Sequence, residues 1–269
     1  MVGVALASCG EQADAPAPTN VQATPTAEPE APAEPMVPAP RPVLTRADLI
    51  RAAADAASLY AEGTAPTAKD PLVGRNFAVR ISFGCGGPAT SQEREDHDGT
   101  PAWRRGPDRK TIELRMTPSD WTGSALLADA GASETWEAVE GFWLPRPWLM
   151  SETCPSVRTD PLQTSAPARS PQTIGLAAVF EAGGSRVGRR NGRAYSHVVR
   201  AEGDTPLEAP AKGYRMLLEG RIAAFPSERA FECRASGPDQ RPVCIAAIQL
   251  DRVTYEDAAG STLSEWRPG

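Results

Sequence analysis

In the stretch RNFAVRISFGC, Phe77, Val79, Ile81 and Phe83 alternate with Ala78, Arg80 and Ser82. A period of two sends successive side chains to opposite faces of an extended chain, so this stretch predicts a strand with one face buried. The rhythm returns in KTIELRM with Ile112, Leu114 and Met116. TIGLAAVF, residues 173–180, is a continuous apolar run and predicts a central strand. RAYSHVV (193–199), YRMLLEGRIAAF (214–225) and VCIAAIQLDRVTY (243–255) complete the set. Short β-branched and aromatic runs between Gly, Pro, Asp and Ser clusters predict a mainly β, mainly antiparallel domain. It is expected to be a sandwich or a small barrel over residues 44–269, with two subdomains possible at about 44–165 and 166–269.

One helix is expected in front of the strands. LTRADLIRAAADAASLYAEG, residues 44–63, places Leu49, Ile50, Ala53, Ala56, Ala57 and Tyr60 on one stripe. Thr45 suits the N-cap, with Asp48 three residues on as its reciprocal partner, and Gly63 supplies the stop. A second, shorter helix is expected within 118–131, capped by Ser119 and ended by Gly131.

The chain before residue 44 cannot join this body. Nine of the 27 prolines lie in residues 1–44, with five acids against one base. Residues 10–44 offer almost nothing to a core and predict a disordered, extended tether of the order of 100 Å. Ahead of it stands MVGVALAS, apolar and then small, like the end of a signal peptide. Leu6-Ala7-Ser8-Cys9 resembles the lipobox of bacterial lipoproteins. That resemblance implies a diacylglycerol on the Cys9 thiol, cleavage just before it, and acylation of the new amino group. Two or more chains give stable anchoring where one does not. Eight residues without a base are short for an export signal, so the translation start is expected upstream. In lipoproteins of enteric type, Gly10 in place of aspartate after the cysteine leans towards the outer membrane. The expected setting is therefore the bacterial envelope, outer membrane, facing the periplasm. No segment past residue 9 approaches the roughly 20 apolar residues of a membrane span.

Cysteine use agrees with export. With Cys9 set aside, Cys85, Cys154, Cys233 and Cys244 remain, an even number that suggests two disulfides. The turn signal SGPDQRP between Cys233 and Cys244 folds their flanks into a hairpin, so these two are expected to bridge. Cys85 and Cys154 would then pair, although four cysteines allow three connectivities. The last 56 residues resemble small barrels of the OB type in strand rhythm only; a two-sheet sandwich explains them equally well.

The chemistry-bearing clusters each have a plain alternative. GGSRVGRRNGR carries Arg186, Arg189, Arg190 and Arg193, whose forks suit phosphates or carboxylates, and it is the leading contact candidate. The alternative is a basic loop between strands. Residues 134–150 hold Trp136, Trp143 and Trp148, which would stack on sugar rings if exposed and fill core if buried. Cys85 among glycines resembles a nucleophile on a tight turn, but such a thiol needs a histidine base, and His97 and His197 sit in no supporting motif. Glu93, Glu95, Asp96, His97 and Asp98 cluster without the spacing of a calcium loop. No catalytic, metal or cofactor motif is found. Outside the leader the chain carries 27 bases and 29 acids, which gives no field for nucleic acid. The expectation is a tethered, non-enzymatic envelope lipoprotein that binds an anionic envelope polymer or a protein partner. The alternative is an exported enzyme of hydrolase class whose site is assembled from distant segments.

Overall fold

The computed structural model describes residues 41–64, 69–89, 99–157, 162, 170–203, 205–208 and 210–268. Cys9, residues 10–40 of the tether and the acidic cluster with His97 lie outside the described residues, whereas Leu44, expected at the tether's end, is buried and bridges to Phe77 of the body.

Helix α1, Arg46–Ala61, begins at Thr45 as its sequence requires. The Asp48 N–H donates to the Thr45 hydroxyl at 3.4 Å and the Thr45 N–H donates to Asp48 Oδ2 at 2.9 Å. This reciprocal pair satisfies two of the four donors that a helix start leaves free. Leu49, Ile50, Ala53 and Ala56 are buried, while Tyr60, expected on the same stripe, is 41% exposed at its end.

The strands are β1 (Asn76–Phe83), β2 (Ala102–Arg105), β3 (Thr111–Met116), β4 (Ser119–Asp120) and β5 (Trp136–Trp143). They continue as β6 (Ile174–Glu181), β7 (Tyr195–Arg200), β8 (Tyr214–Ile222), β9 (Phe231–Arg234), β10 (Val243–Glu256) and β11 (Thr262–Trp266). A short helix α2, Ala125–Asp129, is capped by Ser124, whose hydroxyl accepts from the Leu127 N–H. The cap of α2 is therefore Ser124 and not Ser119, which belongs to β4 and pairs with Gly141.

The fold is a mainly β sandwich with an N-terminal amphipathic helix, and no barrel closes. An eight-stranded sheet runs β1-β8-β10-β6-β5-β4, with β9 and β11 also on β10. A three-stranded antiparallel sheet, β2-β3-β7, packs over it. The large sheet is mixed rather than purely antiparallel, because β6 runs parallel to β10 from Cys244↔Ile174 to Ile248↔Ala178. Both strands are buried on both faces along this pairing, as parallel strands are. Strands before and after residue 165 share both sheets.

β10 organises the rest. The Ala223 N–H donates to Ala247 O, and the Ala247 N–H donates to Ala230 O. The N–H and C=O of one strand residue point the same way, so β8 and β9 follow one another along one edge of β10. β6 takes residues 244–248 and β11 takes residues 253–256. The register slips at Asp251, a bulge that bends the strand where its partners change.

The main core lies between the sheets and under α1, with Phe77, Ile81, Trp103, Leu114 and Tyr255 at its centre. The Tyr255 hydroxyl donates to Tyr195 O at 3.1 Å, tying the long strand to the small sheet. A second cluster on the other face gathers Leu127, Trp136, Phe225, Ile245 and Ala247. Cys233 and Cys244 are cross-strand partners, 4.1 Å apart at Cα, and form a disulfide. Cys85 and Cys154 form the other, 69 residues apart in sequence. Both are the pairings expected from the hairpin.

Candidate functional site

The arginine loop is folded back on the sheet. Arg186 grips Glu137 of β5 through Nε at 2.8 Å and Nη2 at 2.9 Å, and Arg189 reaches the same carboxylate at 3.1 Å. These arginines hold the Glu137 carboxyl below its usual range, chiefly through the Arg186 hydrogen bond. The Arg190 and Asn191 N–H groups donate to Glu140 Oε1 at 2.7 and 2.8 Å. Burial raises the Glu140 pKa against the pull of those donors. The Arg190 guanidinium stacks 4.6 Å from the centre of the Tyr195 ring. Arg193 donates from Nε to Arg190 O at 3.1 Å and is otherwise exposed. All four arginines thus bond within the loop or fasten it to β5.

The tryptophans separate. Trp136 is buried against Phe225, with ring centres 5.1 Å apart, so it is core. Trp148 is 53% exposed and its Nε1–H donates to Ser170 Oγ. Trp143 is half-buried and lies against Trp121, with centres 4.7 Å apart and planes at 59°. Trp121 owes its place to two glycines. A Cβ on Gly141 would lie 2.1 Å from the Trp121 ring, and one on Gly175 would lie 2.5 Å from it. The indole therefore rests directly on the backbones of β5 and β6.

The two indoles face a cleft of about 330 Å³ with Leu126 and Ile245, rimmed by Arg234 and Arg241. Arg234 pairs with Asp129 of α2. Arg241 is exposed and makes no hydrogen bond or ion pair among the described residues. No carboxylate lines the cleft among those residues. Aromatic faces with guanidinium forks at the rim suit a flat, partly apolar ligand that carries negative charge. Trp121, Arg234 and Arg241 escape sequence reasoning. The signal for Trp121 is a glycine inside each of two apolar strands, which marks a close approach. Arg234 and Arg241 lie inside the hairpin that the Cys233–Cys244 disulfide closes, and its closure brings them to one rim.

The remaining candidates resolve simply. Cys85 is bonded to Cys154, so its sulfur is not a nucleophilic thiol. His197 stands on β7 opposite Leu114; burial lowers its pKa, and it lines none of the clefts beside Glu140, Arg146 and Trp121. No helix among the described residues is long and apolar enough to cross a membrane. No family model, curated protein or solved structure matches the chain.

Proposed function

We propose that this chain is an envelope lipoprotein, held by acyl chains on Cys9, whose sandwich binds an anionic envelope polymer in the Trp121–Trp143 cleft. The observation that carries the binding reading is that cleft: two indoles packed at an angle, one of them on a glycine seat, two guanidiniums at the rim, and no lining carboxylate among the described residues. Sugar rings present C–H faces to indoles, and uronate or similar carboxylates match the arginine forks. The anchored reading is supported by the Leu6–Cys9 motif and the proline-rich run behind it. Two disulfides suit an oxidising compartment such as the periplasm, with the outer membrane as the anchoring surface.

Binding is tested with the full chain against a polyuronate such as alginate and a neutral glucan, read by tryptophan emission and co-sedimentation. Alginate shifts the emission and neutral glucan binds more weakly. Trp143→Ala and Arg241→Glu each reduce alginate binding by about tenfold, as loss of one stacked ring or one charge-assisted contact does. Equal binding by wild type and both variants refutes the cleft. The anchor is tested by fractionating cells that carry Cys9→Ala: the variant leaves the membrane fraction, and an unchanged distribution refutes lipidation.

A further inference from the structure

Strand β6 leaves β10 at Ala178↔Ile248, the last pair of their parallel ladder, and β11 joins β10 only from Val253 onward. Between those points the sheet parts, and a cleft of about 520 Å³ opens beside the bulge at Asp251. The loop after β6 and the chain after β11 complete its walls. Glu140 lines this cleft, whereas Gly141, the next residue of β5, meets Trp121. Neighbours on a strand face opposite sides, so this cleft and the tryptophan cleft lie on opposite faces of β5.

The two oxygens of Glu140 are used differently. Oε1 accepts the Arg190 and Asn191 N–H groups at 2.7 and 2.8 Å. Oε2 makes no hydrogen bond among the described residues yet is not sealed from solvent, so it opens on the cleft. Arg190 shows the same division. Its Nε donates to Arg193 O at 3.2 Å and its Nη2 to Ala194 O at 2.6 Å, both neutral acceptors. Nη1 makes no bond among the described residues and is likewise open. Because the Arg190 main-chain N–H itself sits on Glu140, the carboxylate and this guanidinium are no further apart than one arginine side chain reaches. The guanidinium lies 4.6 Å from the centre of the Tyr195 ring, and Trp266 meets that ring in a T shape with centres 5.3 Å apart. Carboxylate, guanidinium and indole thus form one contiguous wall. Burial raises the Glu140 pKa despite the two amides and the nearby Arg189 and Arg190, so its anion still lacks a full counter-charge.

The charges lining the cleft are three carboxylates, Glu140, Glu181 and Asp251, and three cations, Arg190, Arg252 and Arg267. They cancel, which favours neither a free anion nor a free cation. Arg252 is taken by Glu219 and Glu265, Arg267 by Glu265, and Asp251 lies 3.8 Å from Arg221. Glu181 is exposed to solvent. Glu140 Oε2 and Arg190 Nη1 are therefore the opposed pair that a ligand can meet together. Phe180, Leu250 and Trp266, all half-buried, supply apolar surface beside them.

We infer that this cleft binds a small zwitterion of the α-amino acid type, its ammonium on Glu140 Oε2, its carboxylate on Arg190 Nη1 and an apolar side chain against Phe180, Leu250 and Trp266. Charge-assisted bonds at both ends reward a ligand that carries both groups over one that carries either alone. The site does not rest on the tryptophan cleft, so either can fail alone.

The test titrates the oxidised full chain at neutral pH with leucine, leucinamide and N-acetyl-leucine, followed by calorimetry. Leucine binds. Leucinamide, which keeps only the ammonium, and N-acetyl-leucine, which keeps only the carboxylate, each bind about tenfold more weakly. Glu140→Gln retains an oxygen for the two amides but loses the charge; it brings leucine to the level of N-acetyl-leucine and leaves N-acetyl-leucine unaltered. Arg190→Met brings leucine to the level of leucinamide. Trp143→Ala leaves leucine binding unchanged. No heat with leucine, either single-charge analogue binding as tightly as leucine, leucine affinity unaltered in Glu140→Gln, or leucine binding lost in Trp143→Ala overturns the inference. Should Arg190→Met fail to fold by circular dichroism, the Glu140→Gln comparison decides.

Discussion

Replacing Arg46 by methionine tests whether a buried cation held only by carbonyls stabilises this fold. The side chain joins α1 to the turn at 145–149 through three hydrogen bonds that span about a hundred residues of sequence. Hydrogen bonds from a charged donor contribute about 1.5–3 kcal/mol each, or about 4–9 kcal/mol together. Against this stands the cost of burying the charge. Burial, with repulsion from Arg146, brings the Arg46 pKa from the ordinary 12.5 to about 10. At about 1.4 kcal/mol per pKa unit that is roughly 3 kcal/mol. Methionine keeps the apolar stem of the side chain and removes both terms, so a net loss of about 3 kcal/mol is expected. For a body of this size that lowers Tm by about 6–12 °C. Arg46→Lys, a single point charge that cannot reach three carbonyls in fixed geometry, should fall between the two. The measurement is urea unfolding of the oxidised chain, followed by far-ultraviolet circular dichroism. A methionine variant as stable as wild type, or more so, would mean that the burial cost outweighs the bonds and that the accounting is wrong.

Removing the Cys85–Cys154 bridge as a double alanine variant opens a loop of 69 residues and should cost about 4 kcal/mol by urea unfolding; a loss below about 1 kcal/mol contradicts the loop-closure account. Gly141→Ala drives a methyl into Trp121, so it should cost about 1–3 kcal/mol and alter the near-ultraviolet dichroism of the indole pair; an unchanged spectrum refutes the seat. Glu140, whose pKa is raised above the ordinary 4.5 by burial, binds its proton more tightly folded than unfolded. Its contribution is therefore fully present below 4.5 and is lost as pH rises through the raised folded value. Glu140→Gln should flatten that part of the stability–pH curve, and an identical curve removes Glu140 as its source.

The elements governed by local rules were legible in the sequence. Thr45 and Asp48 carry their capping pair within three residues, and the alternation of Phe77 to Phe83 fixes which face of β1 is buried. The SGPDQRP turn sets Cys233 against Cys244, and the second bridge follows by elimination. What depended on distant partners was not legible. Nothing near Arg186 announces Glu137, 49 residues earlier, so a loop that neutralises itself on β5 reads in isolation as a free basic patch. The apolar run of β6 shows that both faces are buried but not the direction of its neighbour, and parallel pairing with β10 stayed hidden. Ser119 looked like a cap because a serine ahead of apolar residues satisfies that rule, yet Ser124 lies closer to the same run and takes the role. Glu140 and Trp266 are unremarkable in their own segments; only the fold makes one cleft of them.

β10 is hydrogen-bonded to β9 and β6 over its first half and to β8 and β11 over its second, with one bend at Asp251. Neither wing of the large sheet can open without breaking the strand that serves the other. Amide exchange under native conditions should therefore release the slowest protons of β6 and β8 together, in one cooperative event, while α2 and the loops exchange earlier by their own small openings.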